Sequence, residues 1–501
     1  MRYVQQSSRL RTQAGYLLIL VLVFGSVFFT IMAGIIGYAV TQSQVVTQRY
    51  LLDMSSEIAE AGLNYYKWYL AHYPDDVTNG TGLPGPYVHQ YFDPEGAAIG
   101  EFSLSISSST YCGDVAAIEV SSTGYTYENP SLTRTLTARY AQPTVAEYAF
   151  IINSNVWAGD DRTIVGPYHS NQGIRMDGTN LSTVTSGQDD WTCTGSFGCS
   201  PSQTVPGVYT TSGNANESLF AFPSSPINFT DLTIDLAAMQ DRAQNAGGIY
   251  IPNSGNYGYR VTFNGDGTVT VRRVTGTTQY WAYSNADGWF QERRVISATA
   301  PYGTYPIDQN CPLIYIADNV WLEGTVDQKV SLAAAGTDAF GNDPTIVLQG
   351  NIEYNDPETD GLLAIAEDDV LLGVDVPDAM TVNGIFVAQN GRYGRNSYCH
   401  PSYDYNNCIR CTASFGFFCV SWADYSMPTA LQPYTRRTSL SMTGTIVSNG
   451  RVGTKWSQGG TFTSGFATRT NAYDRNLVND PPPLIPNTSD VYEFTEWQEV
   501  D

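Results

Sequence analysis

GYLLILVLVFGSVFFTIMAGIIGYAV, residues 15–40, is the stretch that decides the N-terminal architecture. From 16 to 40 it carries no charged residue. At about 1.5 Å per residue it reaches about 37 Å as a helix, enough to cross a bilayer with some tilt. Arg2, Arg9 and Arg11 precede it and no acidic residue does. That bias places the N-terminus in the cytoplasm and the rest of the chain outside, as a single-pass membrane protein. A cleaved secretory signal has a shorter apolar run followed by small residues, so this run reads as an anchor. The helix continues past the membrane. No proline occurs before Pro74, and Val45, Val46, Leu52, Ile58, Ala59, Leu63, Tyr66 and Leu70 recur near the helical period. Pro74 and DDVTNGTGLPGP end it. The expectation is one helix from 16 to about 73, roughly 87 Å long.

The composition points to a β-rich body beyond this helix. Of 501 residues, 25 are Lys or Arg and 48 are Asp or Glu, a net charge of −23. Charged residues make up 15%, while Gly is 46, Pro 25 and Tyr 34, the balance of a turn-rich β protein with polar, uncharged surfaces. Lys67, Lys329 and Lys455 are the only lysines. So acidic a chain is repelled by phosphate backbones, which argues against nucleic acid as a partner. With 42% hydrophobic and 13% aromatic residues it can build a core.

Residues 85–145 alternate as strands of a small antiparallel sheet: Phe102, Leu104 and Ile106; Ala117, Ile118 and Val120; Leu132, Leu136 and Ala138. Beyond 145 the texture changes to brief apolar runs closed by Gly, Asn or Asp. Examples are FIINSNVWAGD (150–160), GIRMDGTN (173–180), LIYIADNVWLEGTV (313–326), TIVLQGNIEY (345–354) and LSMTGTIVSNG (440–450). Their spacing is irregular, as in a parallel β-helix whose loops leave at the corners; a jelly roll or sandwich shares the local pattern. An α+β insertion is expected at about 226–300. DLTIDLAAMQDRAQNAGG supplies a helix capped by Gly247 and Gly248, and Asn264-Gly265-Asp266-Gly267 turns a hairpin. The expected fold is therefore mostly β: a long N-terminal transmembrane helix, a small antiparallel sheet, then a parallel β-helix with an α+β insertion. The divisions are a leader at 1–15, a helix at 16–73, a sheet at 85–145, a β-helix at 146–480 and a proline-rich tail at 481–501.

A short basic leader ending in Gly15, an acid-free apolar helix, and Ala59-Glu60-Ala61-Gly62-Leu63 further along together resemble the PilX-like class of type IV minor pilins. The segments 166–180, 245–252 with 258–271, 318–326 and 473–486, with Trp497, are similar to the C-terminal region of large PilX-type pilus assembly proteins. The resemblance implies cleavage of the Gly15–Tyr16 bond by a prepilin peptidase. It also implies a single-pass inner-membrane precursor, other pilins and pilus assembly proteins as partners, and a mature location on the pilus or cell surface. Most major pilins carry Glu five residues after the cut; here that position is Leu20, as in some minor pilins. The implied role is structural, in pilus assembly and surface adhesion, with no catalytic residue and an unassigned surface ligand. Two other functions compete with it: a membrane-anchored adhesin with a solenoid ectodomain, and a polysaccharide-active β-helix enzyme.

The chemistry-bearing residues each have a plainer role open to them. Glu367, Asp368 and Asp369 are adjacent in a turn, whereas acid/base hydrolysis needs two carboxyls across a cleft. Asp338, Asn342 and Asp343 could hold Ca2+, but no calcium-loop motif is present, so no cofactor is assigned and no metal ligand named. His72, His89, His169 and His400 lack metal-ligand spacing, and no HExxH, GxSxG or P-loop occurs. Of eight cysteines, Cys399, Cys408, Cys411 and Cys419 lie within one loop, and Cys193 and Cys199 in another. Outside the cytoplasm these six are disulfide candidates, with connectivity open; the CxxC at 408–411 also permits zinc. Cys112 and Cys311 remain as an unlinked pair. Tyr398, Tyr403, Tyr405, Phe415, Phe417 and Phe418 make the late cysteine loop either a contact surface or core packing.

Overall fold

The computed structural model describes residues 13–73, 76–230, 232, 235–415, 418–489 and 491–500. Arg2, Arg9, Arg11 and Pro74, which carried the topology and helix-end expectations, lie outside the described residues. The fold is mostly β, with a long apolar N-terminal helix, a small antiparallel sheet and a large sheet of parallel strands. The chain divides into two compact units.

The first unit comprises Met1–Ser107, Ile118–Tyr140 and Glu496–Asp501. Helix α1 runs Gln13–His72, 60 residues. Its first part is the one described helix long and apolar enough to cross a membrane, and none of that apolar window is buried in the protein. Further along, Leu51, Ser55, Ile58, Ala59, Leu63, Tyr66 and Leu70 are buried at helical spacing. They pack on a sheet built from β1 (Tyr87–Phe92), β2 (Ala98–Tyr111), β3 (Asp114–Thr126) and β4 (Thr133–Ala141). The sheet offers Phe102, Leu104, Ile118, Val120, Leu136, Ala138 and Tyr140, all buried. Each large side chain buried here contributes about 1.5–3 kcal/mol. The strand Glu493–Val500 adds to this sheet beside β4, so the proline-rich C-terminal segment ends in regular structure.

The second unit comprises Ser108–Ala117 and Ala141–Thr495. Its strands stack in parallel, one coil on the next, and the register defines continuous columns of side chains. One column reads Ile249, Ile314, Leu332, Ala364, Phe386, Ile446, Phe150, Tyr168, Val184 and Phe220. The inward residues of this parallel stack form one core. The spatial order is not the chain order. The chain enters in the middle, at Phe150–Ile152, and winds to one end at Phe220–Ala221. It then crosses to the opposite end at Ile249–Ile251 and winds back until Arg436–Ser448 meets Phe150–Ile152.

The crossing segment contains α2 (Leu236–Asn245), capped by Asp235, whose carboxylate accepts from the Ala238 amide at 3.0 Å. Met239 and Ala243 of α2 cover the outward side of the coils with Tyr315, Ile365, Val387 and Val447. Within the region read as an insertion, Ile249–Ile251 and Gly258–Asn264 also stack on the coils in parallel. Only the hairpin of Thr268–Ser284 with Gly288–Pro306 is antiparallel there, beyond its pairing to Gly258–Asn264.

Candidate functional site

The first candidate site is the helix α1 and its seat. Tyr16 is 81% exposed and Leu20 57%, and the Gly15–Tyr16 bond lies just inside the helix start at Gln13. The Ala59–Gly62 segment has a packing role. A Cβ on Gly62 would meet the Phe102 ring at 2.9 Å and collide with Ser122 Oγ. Across the seam, a Cβ on Gly124 would run into the Ser55 carbonyl oxygen and the Ala59 amide. The helix therefore lies on backbone, with Ala59 fully buried between. Ser55 Oγ donates to the Leu132 carbonyl at 2.9 Å, fixing the helix register on the sheet. Tyr65 lies tilted against His89 at 4.5 Å and Phe102 at 5.8 Å between ring centroids.

The acidic turns are occupied by structure. Glu367 accepts from the Gly336 amide at 2.7 Å, and Asp369 from the Arg392 amide at 2.8 Å. Asp338 accepts from the amides of Phe340 and Asn342 at 2.8 and 2.9 Å. Burial, with Asp369 beside it, pushes the Asp368 carboxyl up to about 6, against the pull of Arg294. These carboxylates close coil corners. No group of three His, Cys, Asp or Glu suited to a metal ion occurs among the described residues. A groove of about 570 Å3 is lined by Arg260, Glu323, Gln349, Asp375, Asp378 and Arg437. Its acids are already engaged: Arg260 Nε donates to Glu323 at 2.7 Å and Gln349 to Asp375 at 2.9 Å.

The histidines are likewise satisfied. His169 Nε2 donates to Asn171 Oδ1, and Nδ1 faces Thr185 Oγ1, both at 2.9 Å. Burial lowers the His169 pKa, partly offset by that Asn171 bond. Asn171 continues a corner ladder: it donates to Asn153 at 2.9 Å, Asn153 to Asn449 at 2.9 Å, and Asn449 to the Asn390 carbonyl at 3.1 Å. His72 contacts the Trp68 carbonyl, His89 contacts Asn79, and His400 caps the short helix Pro401–Cys408.

The cysteines are all paired. Cys193 bonds Cys199, Cys399 bonds Cys408 and Cys411 bonds Cys419. Cys112 and Cys311, expected to be unlinked, are bonded to each other across 199 residues. Nothing local marks that pair, because Cys112 sits at the turn between β2 and β3 and Cys311 just before Leu313–Ile316.

The aromatics of the cysteine loop divide. Tyr398 is buried against Tyr280 at 5.8 Å, whereas Tyr403, Tyr405 and Phe418 are exposed. Phe417 and the Phe415 side chain lie outside the described residues. A second aromatic group is invisible in the sequence because it comes from distant segments. Trp281 meets Tyr425 edge-on at 5.1 Å, and Tyr425 stacks on Trp289 at 4.5 Å. Trp289 meets Tyr283 at 5.4 Å, and Tyr283 meets Trp456 at 5.8 Å. All five rings are half-buried. Trp456 is held by its indole N–H, which donates to the Arg395 carbonyl at 2.8 Å.

No protein-family model matches the chain, and no curated protein matches it. Among solved structures, it aligns with the competence-associated pilin ComZ from Thermus thermophilus. The alignment covers 90% of this chain and 98% of that one, at 12% identity and a TM-score of 0.28. At that level the likeness carries no argument about function.

Proposed function

We propose that the chain is a type IV pilin-like structural subunit of the PilX-like minor kind, made as a membrane precursor and cut at Gly15–Tyr16. The observation that carries this reading is the division of α1. Its first part is apolar and wholly exposed, while residues 51–70 seat on a small antiparallel sheet through Gly62 and Gly124. An exposed apolar helix needs either lipid or other helices around it. A subunit passing from membrane to filament meets both in turn. Its partners on this reading are a prepilin peptidase and other pilins. The test is the N-terminal residue of the mature protein, by mass spectrometry of membrane and sheared surface fractions. A chain beginning at Tyr16 in the sheared fraction supports the reading. An intact N-terminus confined to the membrane overturns it.

A second reading, surface adhesion, is favoured by the five-ring row of Trp281, Tyr425, Trp289, Tyr283 and Trp456. Fixed, half-exposed aromatic faces suit the C–H faces of sugar rings, with the exposed carboxylate of Asp287 beside the row able to accept from hydroxyls. The net charge of −23 disfavours acidic polysaccharides and leaves neutral ones. Titration with neutral and with uronic-acid oligosaccharides tests it. Binding of the neutral series, lost in Trp281→Ala, supports adhesion; no binding of either series overturns it.

A further inference from the structure

The solenoid core holds a cation to which, among the described residues, no carboxylate is bonded. Arg162 alternates with Ile164 on the inward side of its strand and is 4% exposed. Its guanidinium lies over the Phe150 ring, 5.4 Å from the centroid, and Phe150 lies 4.7 Å from the Tyr168 ring. From Nη2 the guanidinium donates to Thr454 Oγ1 at 3.1 Å. Its Nε is buried and unpartnered, as are the hydroxyls of Tyr168 and Tyr393, two more core residues. The three residues come from three different strand columns, paired respectively with Arg469, Phe150 and Val370. The Arg162 charge acts on both tyrosine hydroxyls, lowering pKa values that burial raises.

The charge count around this point is uneven. Arg469 is 8% exposed and shares Thr454 with Arg162, at 3.4 Å. Lys455 stands at 3.3 Å from Asp161. Asp161 is taken by Arg469 at 2.7 Å and by Lys455, and reaches Arg162 only through its field. Three cations thus face one carboxylate, and Arg162 is the one left over. Burial, then Arg469, lowers its pKa to about 10, so it stays charged at neutral pH. An uncompensated buried charge costs several kcal/mol, and unmade hydrogen bonds add to it. A water would satisfy the donors and leave the charge.

We propose that the solenoid core encloses one small inorganic anion of chloride size, held by Arg162 Nε and the hydroxyls of Tyr168 and Tyr393. The test uses the full chain in detergent, dialysed free of halide. Its thermal midpoint is followed against chloride at constant ionic strength, with gluconate as the balancing anion too large to enter. Bromide-soaked crystals supply an anomalous signal. The expected result is a midpoint that rises and saturates with chloride, and a bromide peak beside Arg162 Nε. The half-saturating concentration should increase at least tenfold in Tyr393→Phe, and the dependence should vanish in Arg162→Met. If Arg162→Met fails to fold, Tyr168→Phe combined with Tyr393→Phe takes its place. Equal midpoints in chloride and gluconate, or an ordered water with no bromide signal at this position, overturn the proposal.

Discussion

Asn153 donates its side-chain amide to Asn449 at 2.9 Å, though the two stand 296 positions apart in the chain. They mark the seam where the returning coils meet the entering one. Beside them Thr445 Oγ1 donates to the Tyr148 carbonyl at 2.7 Å, and Ile446, Val447 and Ser448 pair with Phe150, Ile151 and Ile152. Asn449→Ala removes the acceptor for Asn153 and leaves a part-buried amide unpaired. The expected cost is about 1–2 kcal/mol, measured by urea unfolding of the detergent-solubilised chain.

The seat of α1 tolerates no side chain at Gly124. Gly124→Ala must push the helix off the sheet, because the obstacles are the Ser55 carbonyl and the Ala59 amide rather than movable side chains. We expect a loss of about 1–3 kcal/mol. Gly213→Ala, where nothing lies within 4 Å, serves as control and should leave stability within about 0.5 kcal/mol.

The four disulfides should differ in weight. In the loop-entropy account, closing 199 residues between Cys112 and Cys311 is worth about 5 kcal/mol. The loops of six to nine residues at Cys193–Cys199, Cys399–Cys408 and Cys411–Cys419 are worth about 2–3 kcal/mol each. Cys112→Ser with Cys311→Ser should therefore lower the denaturation midpoint more than any other paired replacement, measured without reductant.

Asp368 gives a pH dependence with a definite sign. Its folded pKa, about 6, stands above the ordinary 3.8, so between these values the folded state holds the proton more tightly. Stability from this group is full below 3.8, falls as pH rises through 6, and is lost above it. Asp368→Asn should stabilise the chain at pH 7.5 by about 1 kcal/mol, discounted for partial exposure, and have little effect at pH 4. Thermal melts at the two pH values check this.

Local pattern carried much of the architecture. The charge-free run 16–40 and the spacing of Ile58, Leu63, Tyr66 and Leu70 show α1 directly, because a helix is specified by near neighbours. Short strands closed by Gly or Asn show the coils. The stacking order was not legible: Phe150–Ile152 and Ile446–Ser448 look like any other pair of apolar triplets, and pairing between them is non-local. The same holds for Cys112 with Cys311, for the strand Glu493–Val500, and for the row from Trp281 to Trp456. Arg162 reads as an ordinary strand arginine until the alternation with buried Ile164 is placed inside a closed core.

The out-of-order winding also sets a timetable for biogenesis. The coils from Phe150 to Ala221 are synthesised first, yet the neighbour of Phe150 on one side, Ile446, comes 296 residues later (446 − 150). At ordinary ribosomal speeds that is a delay of roughly 15 to 60 s. Throughout it the early coils present an open strand edge, the surface on which foreign strands template. When two nascent copies lie side by side, the late strand Arg436–Ser448 of one fits the vacant edge of the other as well as its own. Crowded production therefore favours strand-exchanged dimers, and dilute production favours self-closed monomers.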